Sequence, residues 1–287
     1  MERRSDKHTA MPWADISWHE QWFASYVAER RVKARDPVPL DLKIRHTERV
    51  LANAREIALK EHFTPSKARA CLLAALYHDV ARFEQYLRYN TFKDRESCNH
   101  GLMGIKILKR ENPLGGEEKT VRDTALAAVG LHNRFSLPPA LPENLHLVAQ
   151  AVRDADKLDI LRVMDEHLAG AKPYCPTVVL NLPDDPNLVG GAIVAAALKG
   201  RVAAYADLRS VNDFRLLLGT WFFDMHFPTS RLRFVRDGHA GRLLQSLPSS
   251  TPYAAARDLL LTRLCSEGAD GLAQSTHTTH IEEDDMP

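Results

Sequence analysis

Four histidines and two aspartates mark where this chain could do chemistry: His46, the doublet His78-Asp79, His100, His132, and Asp156 within Asp154-Ala-Asp-Lys157-Leu-Asp159. Seven uncharged residues, Cys71 to Tyr77, lead into the doublet. A segment apolar on every side is normally buried, so the ionisable pair at its end is expected to be partly buried too. Burying a carboxylate is costly unless something compensates it. An adjacent imidazole would do so, and so would a metal ion. The doublet alone does not decide between them; the rest of the set does. Imidazole and carboxylate without a cysteine ligand fit Mn, Fe, Co, Ni or Zn better than a sulfur-rich zinc site. Helical bundles build such sites from inward side chains on different helices.

The elements that must position these residues read as helices. Trp18, Trp22, Phe23 and Tyr26 recur at helical spacing from Ile16 to about Arg31, and the stripe reads as packing. Asp36-Pro-Val-Pro breaks the chain, and Asp41 to Glu61 forms the next helix, with His46 close to its apolar side. Thr64-Pro65 opens the helix that carries the key run, Thr as cap and Pro at the first position. On one helix His78 and Asp79 project about 100° apart, so a shared ion must sit above the seam between them. Residues 86–99 read as a loop. His100 opens a helix whose Gly101 and Gly104 either permit close helix approach or weaken it, and Asn112-Pro-Leu-Gly-Gly ends it. Glu117–Leu131 and Glu143–Leu168 follow. Asp156 and Asp159 share one side of the latter helix, and Asp154 points elsewhere. Residues 171–188, with four prolines, form a long loop, readable as a lid or as an inert excursion. Asn187–Arg209, Val211–His226, 240–247 and 253–265 read as helices, and residues after Ser266 as a disordered tail.

Composition narrows the function classes. The chain has 287 residues and a formal net charge of +1, so no global field argues for nucleic acid or an acidic membrane. The four cysteines, 71, 98, 175 and 265, lack CxxC spacing; Cys71 reads as a buried thiol in a reducing compartment. The N-terminus has no apolar segment after its charges and no run approaches a membrane span, so a soluble cytoplasmic protein is expected.

The order His46, His78-Asp79, Asp156 resembles the HD superfamily of metal-dependent phosphohydrolases. Its context is similar as well: an apolar helix entering the doublet, then Arg82-Phe83, and later Asp-Ala-Asp-Lys-Leu-Asp. Thr91-Phe-Lys-Asp-Arg-Glu-Ser-Cys-Asn-His100 and Trp221-Phe-Phe-Asp224-Met-His-Phe also look like bacterial members. The resemblance covers roughly residues 40–250. It implies an all-α fold, an HD-domain helical bundle with additional C-terminal helices. The expected division is 1–40 as lead-in and N-terminal helix, 41–170 as metal-binding core, 171–265 as lid loop and C-terminal helices, and 266–287 as tail. His46, His78, Asp79 and Asp156 would hold one metal, with Asp154 the competing candidate for the last. His100 and His132 match positions that hold a second metal in binuclear members, with Asp79 bridging. The cofactor implied is one or two divalent transition metals per chain.

Phosphoester hydrolysis suits such a set. A metal lowers the pKa of bound water, and phosphoryl oxygens need further positive charge. Arg82 one turn past Asp79, Arg49 one turn past His46, Arg134 two residues past His132, and Lys157 beside Asp156 are candidates to supply it. Each also reads as a plain surface charge. Asp79, Arg82 and Lys157 are the expected catalytic residues. The expected substrate is a small phosphoester, a nucleotide in the first instance. Two alternatives use the same residues: a di-iron oxygenase of the HD fold holding its irons with all six ligands, and a non-catalytic nucleotide sensor. HD proteins are often dimers, which makes a homodimer an expectation, although no surface patch in the sequence identifies its interface.

Overall fold

The computed structural model describes residues 11–249 and 252–279 except 171, 175 and 177, with side chains through 268. Residues 1–10, Cys175, His280 and the end of the tail lie outside it. The described residues are helical and contain no strand. By packing, the chain divides into two compact units, residues 1–153 and 154–287. The boundary falls inside a helix.

In the first unit, α1 spans Ser17–Lys33, α2 Val38–Lys60, α3 Pro65–Tyr77, α4 Val80–Tyr89, α5 His100–Glu111 and α6 Lys119–Leu131. α3 is its axis. Every residue from Ala70 to Tyr77 is buried, which explains a run with no polar face. α2 and α6 flank it, and α5 packs on both α4 and α6. Of the aromatic stripe on α1, Phe23 and Tyr26 are buried, whereas Trp18 is exposed. α2 begins at Val38, earlier than Asp41. The Asp36 carboxylate accepts from the Val38 amide at 3.0 Å, and proline is tolerated in a first turn. Pro65 opens α3 as expected, but the Thr64 side chain makes no capping bond.

Two features near the doublet differ from the sequence expectation. His78 and Asp79 do not lie on one helix: α3 ends at Tyr77, Asp79 has φ −101° and ψ 15°, and α4 starts at Val80. The break reorients the second residue of the pair. Residues 86–89 also belong to α4, not to a loop; the helix stops at Asn90, whose φ of 51° is the left-handed C-terminal conformation asparagine tolerates. Asn99 caps α5 by accepting from the Leu102 amide at 3.0 Å. Gly101 allows close approach of α5 to α6. A Cβ there would lie 2.8 Å from Asn133 Oδ1 and 3.1 Å from the Val129 carbonyl oxygen.

α7, Glu143–Leu168, crosses the unit boundary. The second unit continues with α8 Gly191–Leu198, α9 Val211–Thr220, α10 Pro228–Arg236, α11 His239–Gln245 and α12 Ala254–Thr279. Its core centres on α9, every residue of which is buried. The long helix expected over 187–209 is confined to 191–198, because Gly200 turns the chain at φ 62°. The helix expected over 211–226 ends at Thr220, whose Oγ1 donates to the Leu217 carbonyl and accepts from the Ala203 amide. A 3-10 turn, Trp221–Asp224, follows. α10 has no counterpart in the sequence reading. α12 carries its helical backbone on to Thr279 where a tail was expected, as propagation adds residues more cheaply than nucleation.

Candidate metal centre

The first unit brings His46, His78, Asp79, His100 and His132 into one buried cluster, each no more than 5% exposed. They arrive from separate places: α2, the α3–α4 break, the start of α5 and the end of α6. Asp79 is the centre. Its Oδ2 lies 3.7 Å from His46 Nε2 and 3.6 Å from His78 Nε2. Its Oδ1 lies 3.4 Å from His100 Nε2 and 3.9 Å from His132 Nε2. Each carboxylate oxygen thus faces its own pair of imidazoles. The ligand atoms of Asp79, His100 and His132 all fall within 4.8 Å of one another.

Hydrogen bonds at the far side of the rings set the tautomers. His78 Nδ1 donates to the Ala75 carbonyl at 2.8 Å and His132 Nδ1 to the Val129 carbonyl at 2.7 Å. His100 Nδ1 donates to the Asp94 carboxylate at 2.7 Å. In these neutral rings Nε2 then carries a lone pair and no proton. His100 Nε2 and His132 Nε2 nevertheless face each other at 2.9 Å. Two acceptors at that distance, with Asp79 Oδ1 beside them, need a positive charge among them. A proton is disfavoured: burial and the charge of Arg82 hold the His100 imidazole down at about 4. The nitrogen–oxygen donor set without thiolate fits a divalent transition metal. Metal-binding histidines ordinarily donate their second nitrogen to a carboxylate or carbonyl, as these do.

Burial opposes the Asp79 carboxylate, but the charges of Lys43 and Arg82 outweigh it and hold the group well below the usual carboxylate range. Lys43 Nζ lies 2.6 Å from Oδ2 and Arg82 Nε 3.2 Å from Oδ1. Arg82 is also tied through Nη1 to Gln85 Oε1, the Phe92 carbonyl and Asp94 Oδ1. It therefore links Asp79 to the segment that orients His100. Arg49 and Arg134 are exposed. Arg134 borders, with Asn99, Leu102, Gly130, Phe135 and Ser136, a cleft of about 410 Å³. Arg153, buried, donates to the carbonyls of His132, Arg134 and Phe135, and so fixes the backbone after α6.

On the second unit's stretch of α7, Asp156 is half-buried, and Lys157 is paired with Asp224. Asp154 is turned to the backbone: its carboxylate accepts from the amides of His226 and Phe227, at 3.0 and 3.1 Å. Burial pushes its pKa up to about 6. Asp159 is held by Arg162 one turn on. Burial pushes the Cys71 thiol up to about 12, an inert packed sulfur.

Three contributors went unnoticed in the sequence. Lys43 stands three residues before His46, a spacing that shares a helix face. Asp94 lies inside the Thr91–His100 stretch noted for its similarity, and Arg153 stands one turn before Asp156.

Among the described residues no helix is long and apolar enough to cross a membrane. Neither curated proteins nor solved structures give a match. The family model of the HD domain matches residues 44–161, a span that runs from two residues before His46 to two past Asp159. With this match laid over the buried histidine–aspartate cluster, residues 44–161 are similar to the HD domain, and the cluster lies within that span.

Proposed function

We propose that this protein hydrolyses a small phosphoester, in the first instance a nucleotide, at a binuclear metal centre bridged by Asp79. The observation that carries the reading is the division of four imidazoles into two pairs, one on each oxygen of that carboxylate. His46 and His78 would hold one ion and His100 and His132 the other. Asp156 is proposed to complete the first set. Support for it comes from the family match, whose span includes Asp156 together with His46 and His78. When bound, divalent transition metals activate water and polarise the phosphoryl group.

The protein's own residues do the rest. Asp94 and the carbonyls of Ala75 and Val129 keep the imidazoles aimed inward. Arg82 is assigned to positioning, because its Nε is engaged by Asp79 and its Nη1 by Gln85, Phe92 and Asp94. Arg134 is assigned to binding. Its cleft adjoins His100 through Asn99, and a phosphoryl oxygen seated there would meet a guanidinium on a backbone fixed by Arg153. Lys157 and Arg49 receive no part in this reading, Lys157 because Asp224 engages it.

The test is metal analysis followed by turnover. Protein purified without added metal should carry up to two manganese, cobalt, nickel or zinc ions per chain. It should release phosphate or an alcohol from at least one member of a phosphoester panel, and a chelator should abolish this. Two irons per chain with substrate-dependent O₂ consumption would replace hydrolysis with the oxygenase reading. Absence of both activities, with nucleotide bound tightly, would leave a sensor.

A further inference from the structure

Lys43 and Arg82 both reach Asp79, yet they are held differently. Arg82 Nη1 has three further acceptors, at Gln85, Phe92 and Asp94. Among the described residues, Asp79 is the one hydrogen-bond and ion-pair partner of Lys43, and the Phe92 ring centre lies 5.6 Å from its Nζ. Moving Arg82 breaks a network; moving Lys43 breaks one contact on a flexible four-carbon stem. The oxygen Lys43 occupies, Oδ2, is the one that faces His46 and His78. Two cations on one buried oxygen repel strongly where the dielectric is low.

We infer that Lys43 is a displaceable internal counter-cation: it neutralises Asp79 in the metal-free protein and yields Oδ2 when a metal ion enters between His46 and His78. The inference rests on the metal-centre reading above. It makes Lys43 a positioning residue with two opposed effects. It stabilises the empty cluster and weakens the first metal's affinity. Once displaced, its ammonium is available to an anion, so metal and phosphate binding should tighten one another by the same factor.

The experiment is a manganese titration of metal-stripped, full-length protein, as wild type, Lys43→Met and Lys43→Arg. Lys43→Met should bind manganese about tenfold more tightly, since a charge-assisted bond no longer has to be broken. Its metal-free form should melt at a lower temperature. The tightening of inorganic phosphate by manganese, present in the wild type, should disappear. Lys43→Arg should restore the wild-type pattern or bind manganese more weakly still. A lysine that merely supports the fold would lose stability and metal affinity together, so unchanged or weaker manganese binding in Lys43→Met overturns the inference. Should that variant fail to fold, Lys43→Gln carries the same expectations and the same refutation. Wild-type protein that binds no manganese removes the metal centre and this role with it. Tighter binding in the variant without hydrolysis of any phosphoester removes the hydrolase and leaves Lys43 standing.

Discussion

Asp79 and Glu84 lie five residues apart, the first at the start of α4 and the second within it, and both are buried. Glu84 is surrounded by donors. Tyr26, Arg30 and Arg110 reach its Oε1 at 3.1, 3.3 and 2.6 Å, and Arg88 reaches its Oε2 at 3.1 Å. Nothing more is needed there; the acid ties α1 and α5 to α4. Asp79 has one ammonium and one guanidinium, but its remaining neighbours are four imidazole nitrogens aimed inward. Around Glu84 donors meet an acceptor. Beside Asp79, acceptors also meet acceptors: His100 Nε2 and His132 Nε2 face each other at 2.9 Å next to its Oδ1. On the reading proposed above, the chain itself completes the carboxylate that serves the fold, whereas the one assigned to chemistry would be completed by a metal ion.

That contrast can be broken at three points. The largest effect is expected from Asp79→Ala, which removes the bridge between the imidazole pairs. Metal per chain, measured by elemental analysis, should fall to background, whereas Glu84→Ala should leave it unchanged; equal metal in both variants would abolish the distinction. Next comes Asp94→Asn, which keeps the shape but not the charge that orients His100. A supporting residue of this kind costs about 10–100-fold in metal affinity. Calorimetric titration would detect it, with little change in thermal stability. Smallest is Glu84→Gln, where one charge among several donors is lost. About 1–3 kcal/mol of unfolding free energy should go, with metal binding intact. Its signature lies in acid. Burial raises the Glu84 pKa, but Arg110 and Arg30 outweigh it and hold the carboxyl below its usual range. A group with a depressed folded pKa contributes stability above its unfolded value, about 4.3, and loses it as pH falls through the folded one. Wild type should therefore lose stability below about pH 4 more steeply than Glu84→Gln in denaturant titrations, and parallel curves would show Glu84 to be uninvolved.

The buried cluster was legible because histidine and aspartate next to uninterrupted apolar residues leave few explanations. His78-Asp79 after Cys71–Tyr77 is the plainest instance. The helices of the first unit were legible from their periodicity, and Pro65 marked one start. What escaped was anything set by partners distant in sequence. Lys43 reads as a surface lysine until Asp79, 36 residues on, is placed against it. Arg82 reads as a phosphate ligand, and its sequence context gives no sign that Gln85 and Asp94 also engage its Nη1. The break between α3 and α4 carries no proline or glycine, so no local signal announces it. In the second unit, alanine-rich sequence around α8 favours helix further than the Gly200 turn allows.

The contact at Gly101 has a consequence for which cation the centre can take. With no side chain on Gly101, the start of α5 lies close against the Val129 carbonyl and the Asn133 side chain, whose oxygens would stand 3.1 and 2.8 Å from any added carbon. Close-packed backbone yields far less readily than rotamers. On the proposed metal-centre reading, His100 and His132 mounted on such a frame would resist widening to suit a larger ion. Ionic radius, and not only ligand chemistry, would then become a criterion of admission on that side of Asp79.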